Sequence, residues 1–149
     1  MLSDDQRAQI AAACTALSVA YARHVDFGDY EAFVDLFTED AILAAGPVRE
    51  GREAIRASMA QRSPELRSRH VLTNIHIDVD GPDAARGISY LTLYRHIGPE
   101  SLDDAAVPMR GPAAVGHYSD RFRLTPAGWK IAERRLSLAF ADAAQFARR

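Results

Sequence analysis

Four stretches rich in Val, Ile, Leu, Tyr and Phe, residues 69–79, 84–97, 113–124 and 129–140, follow one another in the second half of the chain. No segment of helical period separates them. Gly81-Pro82 and Pro126-Ala127-Gly128 join neighbouring pairs as hairpin punctuation. Residues 98–112, with Pro99, Pro108, Gly111 and Pro112, form a loop. Consecutive strands joined in this way predict an antiparallel meander. Strands so long in a chain of 149 residues must bend, with bulges as the usual device. A bent sheet has a concave face that needs cover, and the first sixty or so residues supply it.

Ser3 opens Ser-Asp-Asp-Gln, a capping-box pattern with acidic residues in the first turn. Ile10, Ala13, Cys14, Leu17, Ala20, Tyr21 and Val25 then recur at helical spacing, which predicts an amphipathic helix to about residue 26, broken at Gly28. A shorter helix follows, with Asp29 as its N-cap, Phe33, Leu36 and Phe37 on one side, and Thr38-Glu39-Asp40 closing it. Residues 41–45 read as a short strand ending at Gly46-Pro47, and Arg52 to about Gln61 as a third helix stopped before Pro64. Residues 141–149 favour a short helix or a frayed tail. The predicted class is α+β, in one domain spanning residues 1–149: a cone-shaped, strongly bent, mostly antiparallel sheet whose N-terminal helices close an internal pocket.

Composition removes several functions. Lys+Arg 18 against Asp+Glu 20 leaves a formal charge of -2, with no electrostatic footprint for nucleic acid or an anionic membrane. The one positive concentration is around Arg134, Arg135, Arg148 and Arg149. Cys14, the single cysteine, excludes an intrachain disulfide and reads as a small buried hydrophobe. The polar, acidic N-terminus and the shortness of apolar runs such as Ile-Ala-Ala-Ala-Cys predict a soluble cytoplasmic protein. Gly-x-Gly-x-x-Gly, the phosphate-binding P-loop, Gly-x-Ser-x-Gly and His-Glu-x-x-His are all missing. Neither a nucleotide cofactor nor a metal is therefore expected.

What remains is a set of polar residues inside apolar patterns. Asp26 stands at the end of the apolar stripe that carries Tyr21 and Val25, where its plainest reading is helix-end turn chemistry. His70 opens a strand whose alternation puts His70, Leu72, Asn74 and His76 on one face and Val71, Thr73, Ile75 and Ile77 on the other, unless a bulge intervenes. Tyr90 and Tyr94 share one face of the next strand, and Tyr118 and Asp120 one face of the strand after it. Such tyrosines are more often packed than functional, and Asp120 followed by Arg121 also reads as cross-strand charge pairing.

Taken together these segments form a recognisable series. Tyr-x-x-x-x-Asp-x-Gly-Asp-Tyr-x-x-Phe-x-x-Leu-Phe-Thr-x-Asp-Ala at residues 21–41 resembles the opening of SnoaL-like proteins of the nuclear transport factor 2-like superfamily. So do Gly51-x-x-x-Ile55, Arg69-His70-x-x-x-Asn74-x-x-Ile77, Gly116-x-Tyr118-x-Asp120-x-Phe122 and Gly128-Trp129-Lys130-Ile131-Ala132. The resemblance runs from about residue 8 to about residue 140, and it implies the cone of bent sheet. In dehydratase-like members an Asp ending the first helix pairs with a His opening a strand, positions that fall on Asp26 and His70. Those members also carry a tyrosine immediately before the Asp, where this chain has Val25, with Tyr21 one helical turn earlier.

Two functions of different class follow. One is a cofactor-independent lyase or isomerase in which Asp26 and His70 act as an acid–base pair on a small cyclic or polyketide-like substrate. Tyr21, Asn74, Tyr90, Tyr94, Tyr118 and Asp120 are then the candidate substrate-binding residues. The other is a non-catalytic binding or oligomer-organising subunit, like the small subunits of ring-hydroxylating dioxygenases. Either way a homodimer or higher oligomer is expected, formed through the outer sheet face of Val71, Thr73, Ile75 and Ile77.

Overall fold

A computed structural model describes residues 1–147 of the chain. Helix α1 (Asp4–Phe27) and the short α2 (Tyr30–Val34) lead into β1 (Phe37–Ala44) and β2 (Val48–Glu50). Helix α3 (Arg52–Ala60) precedes the long strands β3 (Leu66–Val79), β4 (Ala84–Ile97), β5 (Ala114–Thr125) and β6 (Gly128–Ala141), and α4 (Ala143–Phe146) follows them. The six strands form one curved, unclosed sheet in the order β2-β1-β6-β5-β4-β3. Only β1 and β6 run parallel. The N-terminal helices cover the concave side, where Cys14, Tyr21, Val25, Phe33, Phe37, Ile55, Leu91, Tyr118 and Ile131 meet in one core. Among the described residues no helix is long and apolar enough to cross a membrane.

The start of α1 follows its sequence signal. The Ser3 hydroxyl accepts from the Gln6 backbone N–H at 3.1 Å, and the Gln6 side chain accepts from the Ser3 N–H at 2.8 Å. Gly28 ends the helix in the left-handed region, at φ 79°, which a glycine adopts without the Cβ penalty. Other boundaries differ. Asp29 occupies the N-cap position of α2 without a side-chain capping bond. Its carboxylate instead lies 3.7 Å from His24 Nδ1. Thr38, Glu39 and Asp40 belong to β1 rather than to a helix end, because Phe37, Ala41 and Leu43 point into the core and draw the segment into the sheet. The three-residue β2 was below the length at which alternation signals a strand.

β3 contains the bend that sequence alternation could not locate. Thr73 pairs with Tyr90, but the next paired residue is His76 with Ile88, so β3 advances three residues while β4 advances two. Asn74 sits in that bulge at φ 51°, one of the few non-glycine types that tolerate it. The extra residue reverses facing beyond it. Ile77 and Val79 pack against the core, so the expected outward set of Val71, Thr73, Ile75 and Ile77 is split.

A second irregularity, between Val115 and Gly116, requires a glycine for a different reason. A Cβ on Gly116 would lie 2.2 Å from the Ser137 carbonyl oxygen and 3.0 Å from Leu138 Cα, both backbone atoms. Gly116→Ala should therefore cost about 1–3 kcal/mol of stability or more. A urea midpoint equal to wild type would show that β5 and β6 part without cost.

Cys14 is fully buried, and burial first, then the Asp120 carboxylate, push its thiol up to about 12. It should resist a thiol reagent at neutral pH until the chain is unfolded, then react once per chain. Labelling of the native protein at the denatured rate would contradict that burial.

Candidate active site

The last turn of α1 and the first half of β3 place three polar side chains together. His70 Nδ1 lies 2.6 Å from Asp26 Oδ1. Asp26 Oδ2 accepts from the His70 backbone N–H at 2.7 Å, and the Ser68 hydroxyl donates to Oδ1 at 2.7 Å. The carboxylate is thus held by the backbone and side chain of the residue it would serve. Its side chain is 5% exposed and that of His70 12%. Burial alone would raise the Asp26 pKa. The ring, charge and N–H of His70, with Ser68, outweigh burial and hold the carboxyl below its ordinary value. An ionised Asp26 accepting at Nδ1 fixes the neutral imidazole as the Nδ1–H tautomer. Nε2 is then left for the cavity that the ring lines.

That cavity has a volume of about 380 Å³ and lies between α1, α3 and the concave sheet face. Val25, Met59, Leu91, Leu93 and Leu136 form its apolar wall, and Tyr21 and Tyr118 join His70 in lining it. The Tyr21 ring meets the His70 ring edge-on, with centroids 6.4 Å apart at 87°. Burial is the main cause that pushes both phenols up, so both remain hydroxyl donors. Asp26 stands behind His70 and borders a separate crevice with Gly28 and Tyr30. Among the described residues no three His, Cys, Asp or Glu side chains group as a metal ion would require.

The SnoaL-like domain family matches residues 6–135, a span that takes in nearly all of α1, both dyad positions, β3, β4, β5 and the first half of β6. The chain belongs to that family. Solved structures share the SnoaL-like architecture. A provisionally assigned scytalone dehydratase from Novosphingobium aromaticivorans aligns with TM-score 0.79 at 20% identity, over 94% of this chain and 91% of its own. A protein of unknown function from Mycobacterium tuberculosis aligns with TM-score 0.74 at 27% identity, over 96% and 79%. A type 2 hexachlorocyclohexane dehydrochlorinase, LinA, aligns with TM-score 0.75 at 16% identity, over 94% and 92%. A search of curated proteins finds no match.

Within this SnoaL-like cone the other sequence candidates separate. Tyr90 and Tyr94 do not line the cavity, and Tyr90 is 50% exposed. The reason is register: His70 pairs with Leu93 and Leu72 with Leu91, so the inward positions of β4 go to leucines. Tyr94 borders an outer groove with Arg67 and Arg69 instead. Asn74 is exposed and serves the bulge rather than the cavity. Asp120 is buried but outside the cavity lining. It accepts from Arg134 Nε at 2.7 Å and Nη2 at 2.8 Å.

Arg134 is the residue that sequence reasoning missed. Grouped there with Arg135, Arg148 and Arg149 only as a local concentration of positive charge, it is 0% exposed, while Arg148 and Arg149 lie outside the described residues. Its guanidinium lies 4.4 Å from the ring centroids of both Tyr21 and Tyr118, and Nη2 also donates to Ser18 Oγ at 2.7 Å. Burial opposes its charge, but Asp120 outweighs burial and raises its pKa. The two tyrosines that face the cavity are therefore backed by a fixed cation. The one available signal was parity: Asp120 and Arg134 are direct cross-strand partners on a buried face.

Proposed function

We propose that the protein is a cofactor-independent lyase or isomerase in which Asp26 and His70 act as an acid–base pair on a small cyclic or polyketide-like substrate. The observation that carries this reading is the 2.6 Å contact of His70 Nδ1 with a buried carboxylate, made by a ring that lines an apolar cavity. Nε2 removes a proton from carbon next to an electron-withdrawing group, and Asp26 stabilises the imidazolium that forms. The electron pair left on carbon forms a double bond as a neighbouring group departs, and the imidazolium returns its proton to that group. Return to a different carbon gives isomerisation instead. In this reading Tyr21 and Tyr118, which line the same cavity, hold a substrate oxygen. Two structural neighbours bear names of eliminations, loss of water and loss of hydrogen chloride, which supports the reaction class at the level of fold. The direct test is deuterium wash-in from heavy water, using small cyclic ketones that carry a β-hydroxyl. Exchange should depend on His70, and exchange unchanged in His70→Ala would overturn the assignment.

Oligomerisation through the outer sheet face belongs to the same proposal. Val71, Thr92, Val115 and Phe140 align in one row across β3, β4, β5 and β6. Val71 is 44% and Phe140 72% exposed, which is costly for side chains of this kind on a monomer. Light scattering at micromolar concentration should give a multiple of the chain mass, reduced by Phe140→Asp. A wild-type monomer would sink the idea. An oligomer that shows no His70-dependent exchange would favour the organising-subunit reading.

A further inference from the structure

The cavity that His70 lines contains three arginines, Arg49, Arg62 and Arg95, and no aspartate or glutamate. Among the described residues none of the three has a carboxylate at ion-pair distance, whereas buried Arg134 is bonded twice to Asp120. Arg49 bonds locally, to the Pro47 carbonyl at 2.7 Å. Arg95 donates from Nη1 to the Gln145 carbonyl at 2.8 Å and lays its guanidinium 4.8 Å from the centre of the Phe146 ring. Arg62 reaches only the Ser68 hydroxyl, at a long 3.4 Å, and its Nε is buried with no partner. Burial, and then the charge of Arg62, hold Arg95 below its ordinary pKa.

Two guanidiniums thus share a half-buried space with nothing negative between them. Burying unpaired charge is unfavourable, and a bound anion removes that penalty. Each guanidinium is a planar fork suited to the two oxygens of a carboxylate. The remaining lining is largely hydrocarbon, so the complementary molecule has an apolar body and one charged end. Arg62 touches Ser68, which donates to Asp26, so an anion at Arg62 lies on the dyad's side of the cavity.

The geometry points to a substrate that is an apolar, ring-sized molecule carrying a carboxylate or comparable oxyanion, held by Arg62 and Arg95. This assignment rests on the proposed function only in calling the ligand a substrate. The test is calorimetric binding of 2-naphthoate and 2-naphthamide, which match in size and shape and differ in charge. Naphthoate should bind on the order of 10- to 100-fold more tightly to the wild-type protein. Arg62→Gln and Arg95→Met should each erode that preference. His70→Ala, which removes turnover under the proposed function, should retain it, so the two readings fail separately. Equal affinity for the two probes, no binding of naphthoate, or an unchanged preference in both arginine variants would overturn the inference. The wild-type comparison decides it even where an arginine variant fails to fold.

Discussion

Replacing His70 with alanine should reduce turnover by about 10²–10⁴-fold, the usual contribution of a positioned acid–base group. Asp26→Asn should cause a loss of the same order by another route. The asparagine no longer stabilises an imidazolium, and its amide can turn a donor toward His70 Nδ1 or toward the His70 backbone N–H that the carboxylate now accepts. The two losses should not add in the double variant, because each removes the function of one unit. Single-turnover rates on a substrate found by exchange would check this. Wild-type rates in both variants would end the dyad assignment. The stability cost should differ between the two. Asp26 ties α1 to Ser68 and to the His70 backbone, so its replacement loosens a long-range contact that His70→Ala partly preserves.

The second large effect concerns stability rather than chemistry. Arg134→Met leaves the Asp120 carboxylate buried, with its two guanidinium bonds gone and Ser18 deprived of its donor. Breaking a buried pair from one side typically costs about 3–5 kcal/mol. For a chain of this size that corresponds to a fall in Tm on the order of 10 °C. Arg134→Met combined with Asp120→Leu should recover much of the loss, since it removes both charges and leaves none unpaired. Denaturant titrations of the two singles and the double form the cycle that decides it. A single variant within about 1 kcal/mol of wild type, on the scale of an exposed pair, would mean that water reaches the site.

Much of this architecture was legible in the residues. The helix cap at Ser3, the break at Gly28, the four long strands and the turns between them follow from local chemistry that packing does not overrule. The pairing of Asp26 with His70 was visible only through the family pattern, because each alone reads as turn or strand chemistry. The failures share a cause in register. Tyr90 and Tyr94 looked like cavity residues because a tyrosine pair on one strand face carries no mark of which face it is. Thr38-Glu39-Asp40 looked like a stop because its polarity outweighed the core contacts of Phe37 and Ala41, which appear only in three dimensions. Arg134 beside Arg135 read only as concentrated charge, with no mark of which one turns inward, and alternation on β6 buries the first and exposes the second.

The extra residue at Asn74 has consequences for how such a domain can change length. His70 and Leu72 before the bulge, and Ile77 and Val79 after it, all serve the concave side, which an unbulged strand cannot arrange because 72 and 77 differ by an odd number. Loss of one codon there would force a choice. Either Ile77 and Val79 turn to water, or the first half of β3 rotates and carries His70 away from Asp26. The side chain of Asn74 is open to exchange for another residue that accepts left-handed backbone, such as glycine or aspartate. The count of residues is not. Substitutions at this position should be accepted where single-residue insertions and deletions are purged, so drift in composition and drift in length are uncoupled at one exposed site.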